Sequence, residues 1–213
     1  MVYLFDGNKC SGAWIGKNKL LSAAHCFKCQ KPYPKKALFE SVNKALEPAI
    51  TGDITGYDVP NDYGQCLHTA EMNLNRAYDI AVATLKQAPT TKGIVVLPMN
   101  FKDIPAVGTT MIIVGYGGDG VSHSGILRWG QVSFAQCTDR YINGALCAHF
   151  ETRFRDQRTL SGDSGSPLLI KMGTNYEAVG VISGHNEQAP ETNIYEIIIA
   201  GLKKNEEFVK SKM

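Results

Sequence analysis

The chain lacks any apolar run close to the roughly 20 residues needed to cross a bilayer as a helix. Ile194 to Leu202 comes nearest, but it is short and interrupted by Glu196. No membrane partner is therefore expected. An excess of charge of one sign is also missing: 22 Lys and Arg stand against 20 Asp and Glu, for a formal net charge of +2. That balance offers no footprint for nucleic acid or an anionic surface. Long amphipathic periodicity is absent until Leu202 to Met213, where Leu202, Phe208 and Val209 lie among charges and indicate a closing surface helix. There is no internal repeat and no low-complexity linker. Met1 to Phe5 has neither the charged nor the long apolar region of a secretory leader.

What the chain holds is 213 residues with 21 glycines and many short alternating runs, enough for one large β domain or two small barrels. Strands are expected at Val2 to Phe5, Cys10 to Ile15, Lys19 to Ser22, Ala37 to Ser41, Met111 to Val114, Ile126 to Phe134, Leu168 to Ile170, Val179 to Gly184 and Ile194 to Ile199. Residues 43–65 read as loops, marked by Gly52-Asp53, Tyr57-Asp58 and Asn61-Asp62-Tyr63-Gly64. Their acidic groups are read as solvated surface, since their spacing fits no calcium loop. The Lys35-Lys36 pair and the loop 119–125 with His123 are given no role, and His68 is read as structural. Six cysteines, an even number, point to disulfides and an oxidising compartment.

Three short stretches carry the chemistry. Ser161-Gly162-Asp163-Ser164-Gly165-Ser166-Pro167 runs directly into the apolar Leu168-Leu169-Ile170. A serine between glycines at the entrance to a strand presents a hydroxyl to solvent from a rigid frame, although a plain glycine-rich turn would have the same composition. Leu20-Leu21-Ser22-Ala23-Ala24-His25-Cys26 puts a histidine at the end of an apolar strand. Tyr78-Asp79-Ile80-Ala81-Val82-Ala83 sets a lone aspartate at the opening of another. A carboxylate buried there needs a partner, and a histidine ring N–H is one.

In the order His25, Asp79, Ser164, these motifs resemble the trypsin/chymotrypsin family of serine peptidases, and the likeness runs over nearly the whole chain from Val2. An esterase on a different fold shares the nucleophile chemistry but places its histidine last. The resemblance implies an all-β fold: two packed six-stranded antiparallel Greek-key barrels with a C-terminal helix. Residues 1–95 would form the barrel carrying His25 and Asp79, and residues 96–213 the barrel carrying Ser164 and the closing helix. It also implies peptide hydrolysis through an acyl-enzyme on Ser164, by the triad mechanism known for this family. Gly162 and Ser164 would supply the oxyanion hole through their N–H groups. Ser183 matches the family's serine near the aspartate, and residues 183–185 would offer a strand edge to a substrate backbone.

The family's disulfide pattern implies Cys10–Cys26 and Cys137–Cys147, leaving Cys29 and Cys66 to be paired by elimination alone. A zinc site at Cys26 and Cys29 is the alternative, without a second pair to complete it. The cysteine that the family carries shortly before its nucleophile is replaced by Leu160. Arg158 falls at the floor of the family's primary pocket, with Thr159, Gly184 and His185 along it. An arginine there favours an acidic side chain before the scissile bond; the alternative has Arg158 turned outward onto Asp156.

In family members a newly released N-terminus pairs with the aspartate before the nucleophile, here Asp163. The family's first ~15 positions have no counterpart here, and at ~3.6 Å per extended residue Met1 is not expected to reach Asp163. Two functions follow: a secreted, extracellular or periplasmic endopeptidase, or a zymogen-like, non-catalytic homologue that binds a protein through the same cleft. The expected partners are protein or peptide substrates and protein inhibitors, the expected state is a monomer, and no cofactor or metal is called for.

Overall fold

The computed structural model describes residues 1–29, 31–39, 50–64, 76–90, 93–102, 104–118, 126–138, 144–150, 158–187 and 195–213. Among them, twelve strands close into two antiparallel barrels. The first comprises β1 (Val2–Phe5), β2 (Cys10–Gly16), β3 (Lys19–Ser22), β4 (Lys36–Phe39), β5 (Ile50–Asp58) and β6 (Ala81–Leu85), bonded in the order β1-β2-β3-β6-β5-β4. The second comprises β7 (Thr110–Gly115), β8 (Arg128–Ala135), β9 (Leu146–Phe150), β10 (Pro167–Met172), β11 (Asn175–Glu187) and β12 (Tyr195–Gly201), in the order β10-β11-β12-β9-β8-β7. A short helix, α1 (Glu206–Lys212), follows.

Alternation of side chains along each strand explains why several strands are apolar throughout. In β3, Leu20 points into the first barrel while Leu21 joins the layer between the barrels. Along β6, Ala81, Ala83 and Leu85 fill the barrel, and Val82 joins Ile80 in that same layer. From the other side come Leu169, Ala178, Val181 and Ala200, with Val209 of α1 closing the edge. Each fully buried leucine, isoleucine or valine here contributes roughly 1.5–3 kcal/mol, and each alanine less. The layer therefore fixes the two barrels against each other, and the site lies along it.

Expected and observed elements differ in instructive places. Gly52-Asp53 and Tyr57-Asp58 read as loops, yet they lie within the nine-residue β5. The inward positions of β5 are Ile50, Gly52 and Ile54, and Gly52 leaves room for Leu85 and Phe39. A glycine facing inward erases the apolar signal, and a register shift between Ile54 and Gly56 breaks the alternation. Asp79 sits before β6 rather than opening it, just after a single 3-10 turn at Arg76–Tyr78. The closing helix starts only at Glu206, because Asn205 is tied to Ala77 O at 2.8 Å and Gly201 O at 2.9 Å. Ser41, His68, His123, Asp156 and Ile194 lie outside the described residues.

Disulfides join Cys10 to Cys26 and Cys137 to Cys147. Cys29 is disulfide-bonded too, while Cys66 lies outside the described residues. With Cys26 and Cys29 both oxidised, neither offers a thiolate, and the zinc alternative falls. The acidic stretch does not converge on an oxygen cage either: Asp53 faces Lys36 at 3.1 Å and Asp58 faces Lys212 at 3.0 Å. Among the described residues no helix is long and apolar enough to cross a membrane.

Candidate active site

Each member of the triple is delivered by a chain segment that ends or begins at the layer between the barrels. His25 sits in a 3-10 turn, Ala24–Cys26, that caps β3 and is pinned by the disulfide to β2. Asp79 follows the turn Arg76–Tyr78. Ser164 lies on the turn that feeds β10. One cleft of about 380 Å³ is lined by His25, Asp79, Ser164, Ser183, Gly184 and His185, together with Tyr63, Arg76, Leu160 and Ser161.

Asp79 is 3% exposed and its carboxylate is fully engaged. His25 Nδ1–H points at Oδ2 across 2.7 Å, the His25 backbone N–H donates to Oδ1 at 2.8 Å, and the Ser183 hydroxyl donates to Oδ2 at 2.6 Å. Burial alone would raise the Asp79 carboxyl, but the charge and hydrogen bonds of His25 with that of Ser183 outweigh it and hold the group below the carboxylate range. Burial likewise pushes His25 down, Asp79 pulls it up more strongly, and Arg76 opposes that pull. The net result lies above the ordinary histidine value. With Nδ1 committed to Asp79, Nε2 is the ring atom left to exchange a proton with a reacting group.

The serine turn is built to fit against the first barrel. Gly165 has φ +81°, and a Cβ there would strike Ser22 Oγ and Ser11 O, so no other residue fits this approach. Ser11 N–H donates to Ser164 O at 2.8 Å, Ser11 Oγ to Gly162 O at 2.8 Å, and Gly165 N–H to Ile182 O at 2.8 Å. Among the described residues, neither Gly162 N–H nor Ser164 N–H donates to another group of the chain. Asp163 turns away from the cleft and accepts Gly117 N–H at 2.9 Å and Leu160 N–H at 3.0 Å.

The remaining expected pocket residues divide. Ser183, Gly184 and His185 line the cleft, whereas Arg158 is exposed and Thr159 is buried behind it. The Thr159 carbonyl accepts the Tyr195 hydroxyl at 2.6 Å, and the two hydroxyls lie 3.1 Å apart. The Tyr195 ring stacks on His185 at 5.2 Å. Tyr195 thus spans the two walls between which the pocket was expected, and the sequence reading gave it no part.

The family model for trypsin matches residues 1–200. The chain belongs to the trypsin family. Among curated relatives of this family, the cercarial protease of Schistosoma mansoni is 27% identical over 220 aligned residues, covering 96% of this chain and 80% of the relative. Human heparin binding protein has the same fold, with a TM-score of 0.70 at 19% identity, covering 99% of this chain and 89% of that one. A mutant of that protein gives a TM-score of 0.74 at 20% identity over the same shares.

Within this trypsin-family cleft, two more lining residues went unread in the sequence. Arg76 donates to Ser183 O at 3.3 Å, and a Cβ on Gly184 would collide with its guanidinium. Gly184 is the space that Arg76 occupies. Tyr63 is buried, its hydroxyl 3.0 Å from Cys29 Sγ, and burial with the nearby Asp79 charge keeps its phenol un-ionised far above the usual range. The one sequence signal for Arg76 was its place three residues before Asp79, at the start of the turn that Asp79 follows.

Proposed function

We propose that this chain is a serine endopeptidase that cleaves peptide bonds through an acyl-enzyme on Ser164. The observation that carries this is the Asp79 carboxylate, held by His25 and Ser183 on the wall of the cleft that Ser164 also lines. His25 Nε2 takes the Ser164 proton as Oγ attacks the scissile carbonyl, and then returns it to the leaving amine. Asp79 holds the tautomer and stabilises the imidazolium. The N–H groups of Gly162 and Ser164 receive the developing oxyanion, a donor there being worth about 100- to 1000-fold in rate.

The barrels, taken as residues 1–95 and 96–213, divide the work: the first supplies base and orienting acid, the second nucleophile and oxyanion donors. The edge of β11 at residues 183–185 receives the substrate backbone; Arg158 does not line the cleft but stands exposed two residues before Leu160, which does, and by reaching in from there it would favour an acidic side chain before the scissile bond. Asp163 is the turn's anchor for a cation, as its family counterpart is on activation. The protein works as a monomer in an oxidising, extracytoplasmic setting, open to protein inhibitors through the same cleft. Its three disulfide-committed cysteine positions in the first barrel agree with such a setting.

The test is labelling with a fluorophosphonate probe read by intact mass, with Ser164→Ala as control. Labelling that disappears in Ser164→Ala is expected. A folded, oxidised chain that takes no label would overturn the assignment. A peptide library with Asp or Glu before the cleaved bond, run on the protein and on Arg158→Gln, tests the acidic preference.

A further inference from the structure

We propose that Asn205, at the foot of α1, is a positioning residue for Asp79: it ties the turn that presents the carboxylate to the second barrel. The kinetic consequence rests on the peptidase reading, but the geometry does not.

Asp79 stands ahead of β6, outside the strand ladders that hold that strand. Its N–H bonds Arg76 O at 3.2 Å, and the Ile80 N–H bonds Tyr78 O at 2.8 Å, so Asp79 moves with the turn Arg76–Tyr78. Where that turn is held therefore sets where the carboxylate lies against His25 and Ser183. The turn meets the second barrel and its tail at each of its residues. Arg76 donates to Ser183 O across a long 3.3 Å. Lys204 Nζ lies 5.2 Å from the centre of the Tyr78 ring, but Lys204 is exposed, where such a contact is weak. Asn205 Nδ2 donates to Ala77 O at 2.8 Å, and both residues are buried. Of these contacts, the Asn205 bond is the short, buried one made to the turn's own backbone.

The Asn205 amide is itself held in place. Nδ2 also donates to Gly201 O, the end of β12, at 2.9 Å, and the Asn205 N–H bonds Leu202 O at 3.1 Å. Leu202 N–H in turn bonds Val179 O on β11 at 2.8 Å. One strand, β11, thus reaches Asp79 twice: directly through the Ser183 hydroxyl, and through Leu202 and Asn205 to the turn behind it. Among the described residues, Asn205 Oδ1 is buried without a hydrogen-bond partner. A leucine has nearly the same shape and would fill the space without stranding that oxygen, so packing by itself does not call for an amide here. What the amide adds is the donor that crosses to Ala77. Asn205 touches no reacting atom; it acts through the turn, on the distance between Asp79 and His25.

The test compares wild type with two variants. Asn205→Leu loses both side-chain bonds, whereas Asn205→Thr has a hydroxyl that returns to the carbonyl four residues back, Gly201 O, but falls short of Ala77 O. Val209→Ala, which loosens the packing of α1 without removing the amide, is the control for lost stability. Nitrogen-labelled histidine gives the proton on His25 Nδ1, assigned by its disappearance in His25→Ala. Its chemical shift and its exchange with water are followed together with fluorophosphonate labelling of Ser164. In both Asn205 variants the proton is expected to move upfield and to exchange at least about fivefold faster, the factor that one ordinary hydrogen bond represents. Labelling falls about 10- to 100-fold, as a displacement on the order of 1 Å costs. Val209→Ala leaves both readouts within about twofold, even where urea unfolding shows an equal loss of stability. An Asn205→Thr protein with the wild-type proton and labelling rate would mean that Asn205 only ends β12, and overturns the proposal. A Val209→Ala protein that reproduces the Asn205→Leu changes overturns it too. If wild type takes no label, the peptidase reading fails, and the proton signal decides the positioning role by itself. If Asn205→Leu loses its fold, seen by near-UV dichroism, Asn205→Thr decides on the same criteria.

Discussion

Replacing Ser183 by alanine removes one of three hydrogen bonds to the buried Asp79 carboxylate, and the only one of the three not given by His25. A hydrogen bond to a charged group is worth about 1.5–3 kcal/mol. With Asp79 3% exposed, water has little access to replace the lost donor, so the upper half of that range, about 2–3 kcal/mol, is expected near pH 7. The pH dependence separates this cause from lost packing. Asp79 is held below its ordinary value despite burial, through His25 first and Ser183 after it. Its contribution is therefore present above the unfolded carboxyl value of about 3.9 and is lost as pH falls through the folded one. The stability difference between wild type and Ser183→Ala should be full at neutral pH and shrink on acidification below about pH 4. Urea unfolding in a Ser164→Ala background, where autolysis cannot intervene, measures it. A neutral-pH difference under about 0.5 kcal/mol, well short of a charged hydrogen bond, would refute the reasoning, as would a difference of constant size down to the lowest pH at which the fold survives.

Two further outcomes follow from the same geometry. Arg76→Leu removes a cation that opposes protonation of His25, so His25 keeps its proton to higher pH and the acid limb of Ser164 labelling moves in the alkaline direction; an unmoved limb would show that Arg76 is screened from the base. Removing the Cys10–Cys26 bridge by paired alanine substitution opens a closure of 16 residues, and urea midpoints should report a loss of about 3 kcal/mol; a loss below about 1 kcal/mol would mean that β2 and the His25 turn are held by packing alone.

The parts of this protein legible in its sequence are those whose physics is local. Apolar runs flanked by turn residues marked β1, β3, β7 and β10 because alternation and burial act along a single strand. The glycines around Ser164 announced a turn with unusual backbone conformation, and Gly162 and Gly165 both have positive φ; that Gly165 is packed against Ser11 and Ser22 of the first barrel was not legible. Where a glycine faced inward, as Gly52 does in β5, the local pattern failed, because the core was completed by Leu85 and Phe39 from other strands.

By itself, then, the sequence determined the residue types proposed to carry the chemistry and their chain order, since a nucleophile, a base and a buried acid each need a particular local frame. Only the tertiary structure decided what surrounds them. Arg76 enters the cleft because Gly184 on β11 leaves it space, Tyr195 stacks on His185 because β12 runs beside β11, and Arg128 reaches Gly117 because β8 begins opposite Gly115. Each of these contacts joins segments separated along the chain. Their energies depend on distances set by barrel closure, and no pattern within one stretch of chain records them.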